Sequence, residues 1–124
     1  MNWLRSIPSA CDMSRIYKLI TYVPEADLET LKQGLFAAGA GRQGNYDMCS
    51  WQCLGTGQFR PLEGSDPCLG SQNKVEKVQE WRLETLVDKA VLSAVLEALL
   101  KIHPYEEPAY DLVLLSNSKD LIPN

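Results

Sequence analysis

The sequence is poor in histidine and in positive charge. It holds one histidine, and 12 Lys and Arg stand against 16 Asp and Glu, a formal net charge of −4. A nucleic-acid-binding surface needs a surplus of Lys and Arg on one face, so this balance argues against a nucleic-acid partner. No apolar run reaches the roughly 18 residues that span a bilayer, and the N-terminus has no apolar stretch of signal-peptide length. We therefore expect a cytoplasmic protein with no membrane segment.

The sequence also lacks the cysteine spacing of structural zinc sites. Its four cysteines include no C-x₂-C pair. Cys49 and Cys53 would share one face of a strand but lie about 13 Å apart along it, too far to bind one ion. We expect reduced thiols, with Cys49 and Cys53 buried as small apolar side chains. Cys68 has no recognisable base beside it, so the sequence does not predict a nucleophile there.

The length and composition are those of one globular domain. The chain has 124 residues, 45% of them hydrophobic and 23% charged. A domain of this size buries roughly two-thirds of the surface that its unfolded chain exposes. We place the domain at residues 13–116, because Met13 comes directly before the first strand-like run. Residues 1–12 are interpreted as an N-terminal extension and residues 117–124 as a C-terminal tail.

Six segments show the hydrophobic period of a strand or a helix. We predict strands at 15–23, 46–54, 74–87 and 109–115, and helices from Pro24 to Gly39 or Gly41 and from Asp88 to Ile102. The order β-α-β-β-α-β predicts an α+β ferredoxin-like sandwich, a four-stranded antiparallel sheet with two helices on one face. The other face would be open to another chain.

Three details of the sheet follow from the pattern. The last strand is almost continuously apolar, which predicts a central position. Gly55 and Gly57 suggest a bend or bulge. The odd-numbered apolar residues from Val75 to Val87 predict a buried face, and we expect Trp51 and Trp81 to face each other in a core or, preferably, a subunit interface.

Two stretches of the chain carry a resemblance to known proteins: AAGAGRQGNYDMCSW with GTGQFRPLEGSDPCLGS, and HPYEEPAYDL. Together they resemble the CutA/PII-like domain of the Nif-three-like proteins (the YqfO group), over about Tyr17 to Leu115. The HPYE-x-P core is also similar to CutA proteins, which have the same fold and form trimers through their sheets. The resemblance therefore implies a CutA/PII-like module that assembles as a homotrimer or, as the alternative, a dimer.

The sequence departs from that family in one respect. In most of those proteins the module is inserted into a larger metal-binding body, whereas here we expect it to stand alone. The ligands of their two-metal centre lie in the flanking domains, and we expect no counterpart here, because the sequence has one histidine. The resemblance therefore does not imply a hydrolase or GTP-processing activity, and we expect no enzyme.

The first candidate site is the segment that holds the single histidine. His103, Glu106 and Glu107 could bind a divalent metal ion, since imidazole and carboxylates are common ligands. Alternatively the segment is a rigid joint, in which Pro104 ends the helix and Pro108 sets up the strand. We favour the joint, and both can hold because a rigid joint is a good mount for a ligand.

The second candidate site is a cleft between subunits. PII-like proteins bind nucleotides near such clefts, so the resemblance implies a site lined by residues 39–46, 55–70 and 103–107. The predicted ligand-binding residues are Arg42, Asn45, Tyr46, Phe59 and Arg60. The glycines around Arg42 could present backbone N–H groups to an anion. We favour the alternative for this loop, a helix cap followed by a tight turn.

The leading functional hypothesis is a non-enzymatic, regulatory module that binds a small molecule or a metal ion, with a protein as a further partner. One alternative is a divalent-metal-binding or metal-tolerance protein that uses His103 and nearby carboxylates. A small metal-dependent hydrolase ranks last, because no nucleophile–base pair is recognisable. The only cofactor that the sequence suggests is a divalent metal ion.

Overall fold

The computed structural model describes residues 15–66 and 70–116. The predicted extension 1–12 and tail 117–124 lie outside these ranges. The elements are β1 (Ile16–Val23), α1 (Glu25–Ala37), β2 (Trp51–Phe59), β3 (Glu76–Asp88), a 3₁₀ turn (Lys89–Val91), α2 (Leu92–Ile102) and β4 (Tyr110–Leu114). The sheet order is β2-β3-β1-β4, and every neighbouring pair is antiparallel. The predicted ferredoxin-like fold is confirmed.

Both helices pack on one face of this sheet. The odd-numbered residues of β1 lie beside the odd-numbered residues of β3, as in the pair Leu19 and Thr85. These faces meet the apolar stripes of both helices in a single buried cluster: Leu19, Val23, Leu28, Leu31, Leu35, Ala40, Leu83, Val87, Val95 and Leu99. No helix in the described ranges is long and apolar enough to cross a membrane.

The last strand is at an edge of the sheet, and the prediction of a central strand is wrong. β4 pairs with β1 alone, and its Val113 and Leu114 are 45% and 41% exposed. An apolar run shows that a surface needs to be covered, but it does not say whether another strand of the same chain covers it. Unpaired edges of this kind invite pairing with a further chain.

The predicted course of β2 also needs correction. The strand starts at Trp51 instead of residue 46, and it continues through Gly55 and Gly57 to Phe59. Its register with β3 is unbroken, so no bulge is present at these glycines. Val75, expected on the buried face of the next strand, precedes β3 and is 57% exposed.

The helix boundaries agree more closely with the predictions. Pro24 takes an extended backbone just before α1 instead of forming its first turn. The helix ends in a Schellman motif, with Ala40 N–H bonded to Leu35 O and Gly39 N–H bonded to Phe36 O. Gly39 supplies the positive φ of 115° that this motif needs. Asp88 makes no side-chain cap to the turn that leads into α2.

The loop after α1 is fixed to the sheet through Gly41. Its N–H donates to Leu86 O at 2.8 Å, and its carbonyl accepts from Cys49 N–H at 2.9 Å. A Cβ on Gly41 would lie 2.9 Å from both the N and the O of Cys49. A side chain therefore has no room here without a shift of the backbone.

We expect Gly41→Ala to destabilise the fold more than Gly44→Ala. Both glycines have positive φ, which costs alanine about 1–2 kcal/mol. Gly44 has no atom within 4 Å of a new Cβ, so its variant should lose only that amount, while the Gly41 variant should lose at least about 1 kcal/mol more through overpacking. Urea unfolding of both variants measures the difference. Equal losses would show that the loop adapts freely.

Candidate functional site

A pocket of about 340 Å³ lies at the end of the sheet where β1 and β2 finish. Four separate parts of the chain form its walls: the end of β1, the end of β2 with the loop after it, β3, and the segment between α2 and β4. The rings of Tyr22, Phe59 and Tyr105 and the carboxylates of Glu80, Glu106 and Glu107 line it. Its size is within the usual range for a small-molecule site.

His103 holds the segment between α2 and β4 in place. Its side chain is 6% exposed. Nε2 lies 2.7 Å from the carbonyl of Tyr22, and Nδ1 accepts the N–H of Tyr105 at 3.1 Å. Because a carbonyl can only accept, the proton is on Nε2, and because Nδ1 accepts a hydrogen bond it carries no proton, so the ring is neutral. Burial, the largest influence, lowers the pKa of His103, against the opposing effects of the Tyr22 carbonyl, Asp27 and Glu80.

Tyr105 connects this joint to the sheet. Its ring centroid is 4.9 Å from that of His103 and 6.4 Å from that of Phe59. Its hydroxyl donates to Oε2 of Glu80 at 2.8 Å. Both ring pairs are tilted, at 48° and 55°, and lie at separations at which aromatic rings pack favourably. The joint therefore places one aromatic wall of the pocket and orients one of its carboxylates.

Gly57 explains how the Glu80 side chain can lie across β2. Glu80 pairs with Gly55 on the neighbouring strand, and its carboxylate occupies the space that a side chain at Gly57 would fill. A Cβ on Gly55, by contrast, would meet no atom within 4 Å. At Gly57 the Glu80 side chain therefore comes close to the backbone of β2, and such a close approach is a common reason for glycine inside a strand.

The predicted metal ligands are not grouped as a metal site would require. Both ring nitrogens of His103 bond to backbone groups, and Glu106 accepts the N–H of Asp66 at 2.8 Å. Glu107 is exposed. Within residues 15–66 and 70–116, no group of three or more His, Cys, Asp or Glu side chains could hold a metal ion. The geometry favours the structural joint, and Glu106 and Glu107 line the pocket all the same.

The other predicted ligand residues are separated within one chain. Phe59 lines the pocket, and the exposed Arg60 follows it outside the lining. Arg42, Asn45 and Tyr46 are exposed and belong to the loop that Gly41 ties to Leu86. Leu86 is about 20 Å along β3 from Glu80, at roughly 3.3 Å per residue. The loop itself is a tight turn closed by paired bonds between residues 43 and 46.

Two further predictions about the sheet are wrong. Trp51 pairs with Glu84 and Trp81 with Leu54, so the two tryptophans lie on opposite faces. Trp51 is 57% exposed on the open face, while Trp81 packs against the core. Cys53 is exposed, and Cys49 is only half-buried. The error over the tryptophans comes from the register between β2 and β3, which the sequence does not show. Cys68 lies outside the described residues.

Sequence reasoning did not name three residues of this pocket as ligand residues. Tyr22 and Glu80 lie in predicted strands outside the predicted lining, while Tyr105 lies within the predicted lining segment 103–107. A glycine at position 57, inside an otherwise regular strand, was the one signal of a close approach. Without the register it could not indicate that Glu80 was the approaching side chain.

The fold of the chain is shared with CutA and PII-like proteins. CutA from Archaeoglobus fulgidus superposes with a TM-score of 0.60 at 12% identity, over 82% of this chain and 85% of that chain. GlnK of Bacillus subtilis, solved with ATP, gives a TM-score of 0.56 at 13% identity, over 82% of this chain and 83% of that chain. At these identities the likeness shows the fold alone.

A more specific relationship joins the chain to NIF3-related proteins. A Bacillus cereus protein related to NIF3 has a TM-score of 0.73 and 36% identity, over 84% of this chain and 26% of that chain. The protein described as GTP cyclohydrolase 1 type 2 homolog is 42% identical in Halalkalibacterium halodurans, over 86% of this chain and 29% of the relative. The Bacillus subtilis protein of that description is 45% identical, over 77% of this chain and 26% of the relative.

These findings show that the chain has the fold of CutA and PII-like proteins and is related in sequence to one segment of the NIF3-related proteins. The resemblance predicted from the two sequence stretches is thereby confirmed. The chain spans 29% of the length of the Halalkalibacterium relative, so the activity of the whole relatives does not transfer to it. No protein-family model matches the chain.

We expect the free energy of unfolding to fall as the pH is lowered through the ordinary histidine pKa of 6.5. The unfolded chain then binds a proton that folded His103 resists, so the stability present above this pH is progressively lost below it. Urea unfolding between about pH 7.5 and about pH 5 measures the loss. His103→Gln, which does not titrate, should show a smaller decline. Equal declines in both proteins would show that His103 is not held neutral.

Proposed function

We propose that this chain is a non-enzymatic, oligomeric module that binds a small molecule in the pocket beside Tyr105. The observation that carries the proposal is the convergence of three rings and three carboxylates on one hollow. The joint at His103 fixes this arrangement before any ligand arrives, and preorganised walls lower the cost of binding. A regulatory role is part of the proposal, because a ligand there would contact four separate parts of the chain.

The lining also supports binding in preference to catalysis. Ser65 is the only serine in the described lining of the pocket. Its hydroxyl donates a hydrogen bond to the Leu62 carbonyl at 2.7 Å. The nearby imidazole of His103 uses both nitrogens on backbone partners. A nucleophile needs a base within hydrogen-bond reach, and neither group offers that pair in this arrangement.

The open face of the sheet supports assembly into a homotrimer, as the resemblance to CutA proteins implies. Trp51 of β2 lies on this face and is 57% exposed. Beside Trp51, the glycines of β2 leave a hollow of about 570 Å³ on this face. Exposed aromatic residues next to a hollow are typical of surfaces that another chain covers.

We expect Trp51→Lys to dissociate the trimer while the chain stays folded. The side chain is largely exposed in the single chain, so its loss removes contacts between chains instead of core packing. Leu100→Lys is the matched control, because Leu100 is similarly exposed, at 54%, on α2. Native mass spectrometry and light scattering should show at least about tenfold weaker association for the Trp51 variant alone. Dissociation by the Leu100 variant instead would assign the interface to the helices.

Native mass spectrometry of the untagged protein also tests the binding proposal. A stoichiometric extra mass that disappears in a Phe59→Ala variant would support the pocket as the site. A bare protein that shows no thermal shift with any member of a metabolite library, up to millimolar concentration, would contradict it. The cytoplasmic location expected from the sequence stays a prediction.

A further inference from the structure

We infer that the pocket beside Tyr105 selects a small organic cation, an amine or quaternary ammonium group with an aliphatic body. This inference rests on the proposed function, since it names the ligand class of the same pocket. It follows from the charge of the lining, from its rings and from the fixed position of one carboxylate.

The charged groups of the lining have one sign. Glu80, Glu106 and Glu107 are present, and the lining includes no Lys, Arg or His. Three ion pairs are formed among the described residues: Lys18–Glu84, Lys32–Glu29 and Arg82–Glu84. None of them engages a carboxylate of the lining. A concave surface of one sign attracts ligands of the opposite sign, so a nucleotide or another anion is disfavoured here.

The rings distinguish an organic cation from a metal ion. The ring centroids of Phe59 and Tyr105 are 6.4 Å apart with an interplanar angle of 48°, and Tyr22 adds a third ring to the same pocket. Aromatic faces attract ammonium groups within about 6 Å of the centroid. A divalent metal ion needs clustered oxygen or nitrogen ligands instead, and the described residues form no such cluster.

Glu80 is the counter-ion that the structure holds most firmly. The Tyr105 hydroxyl bonds to its Oε2, and Gly57 leaves the space in which the carboxylate lies. Glu106 is directed partly to the Asp66 N–H, and Glu107 is exposed. Pro61 and Ala109 add apolar surface that suits an alkyl body, and Gln58 and Ser65 are the remaining lining residues.

The test compares choline with 3,3-dimethylbutan-1-ol, a neutral probe of the same shape. Both are titrated into the full chain at constant ionic strength, and the aromatic NMR signals are followed. Choline should bind at least about tenfold more tightly, and Glu80→Gln should weaken choline by about fivefold or more. Glu97→Gln, which removes the same charge from an exposed site on α2, should leave choline affinity unchanged.

A second pair of variants separates position from charge. Gly57→Ala keeps every carboxylate but displaces that of Glu80, so it should weaken choline by a similar factor. Gly55→Ala adds the same methyl group on the same strand where nothing lies within 4 Å, and it should bind choline as the parent does. Circular dichroism confirms that both variants are folded. Equal affinities for the two variants would overturn the role of Glu80.

The remaining outcomes distinguish this inference from the function on which it rests. Equal affinities for choline and its neutral analogue would overturn the inference that the pocket selects a cation. If the protein bound ATP and not choline, and the Phe59→Ala variant lost ATP binding, the inferred ligand class would be wrong. The proposal of a ligand-binding pocket would still hold. If neither choline nor ATP nor the metabolite library shifts any signal, both the inference and the proposed function fail.

Discussion

The arrangement of this pocket depends on one buried imidazole. His103 donates from Nε2 to the end of β1 and accepts on Nδ1 from the backbone of Tyr105. The first bond ties the end of α2 to the sheet, and the second turns the chain so that Tyr105 reaches Glu80. A protonated ring would have no acceptor left for the Tyr105 N–H. The neutral state of the ring is therefore part of the geometry and not a separate property.

The two faces of the sheet have different roles. The face under the helices carries the apolar cluster around Leu31, Leu83 and Leu99, which are almost fully buried. Large apolar burial is the main source of stability in a domain of this size. The opposite face carries Tyr22, Glu80 and Trp51, which contribute little to that cluster. Substitutions on the open face can therefore alter binding or assembly while the fold is retained.

The fold was predictable from the sequence because each element has a clear hydrophobic period and the order of elements has few solutions. The predictions that failed within the sheet depend on pairing between strands. Period two shows that Trp51 and Trp81 each belong to one face of a strand, but only the register shows that the faces differ. For the same reason Phe59, Glu106 and Glu107 could be named as candidate residues, whereas Glu80 could not. The edge position of β4 depends on a partner strand, which a single apolar run does not specify.

The hydrogen bonds that form the pocket determine when it appears during folding. Those bonds join residues far apart in sequence: 81 positions separate Tyr22 from His103, 40 separate Asp66 from Glu106, and 25 separate Glu80 from Tyr105. Contacts of such long range form only after large loops have closed. The pocket is thus absent from partly folded chains, and a ligand would recognise completed molecules alone. Binding would then stabilise the folded chain against unfolding, and so protect completely folded molecules from proteolysis.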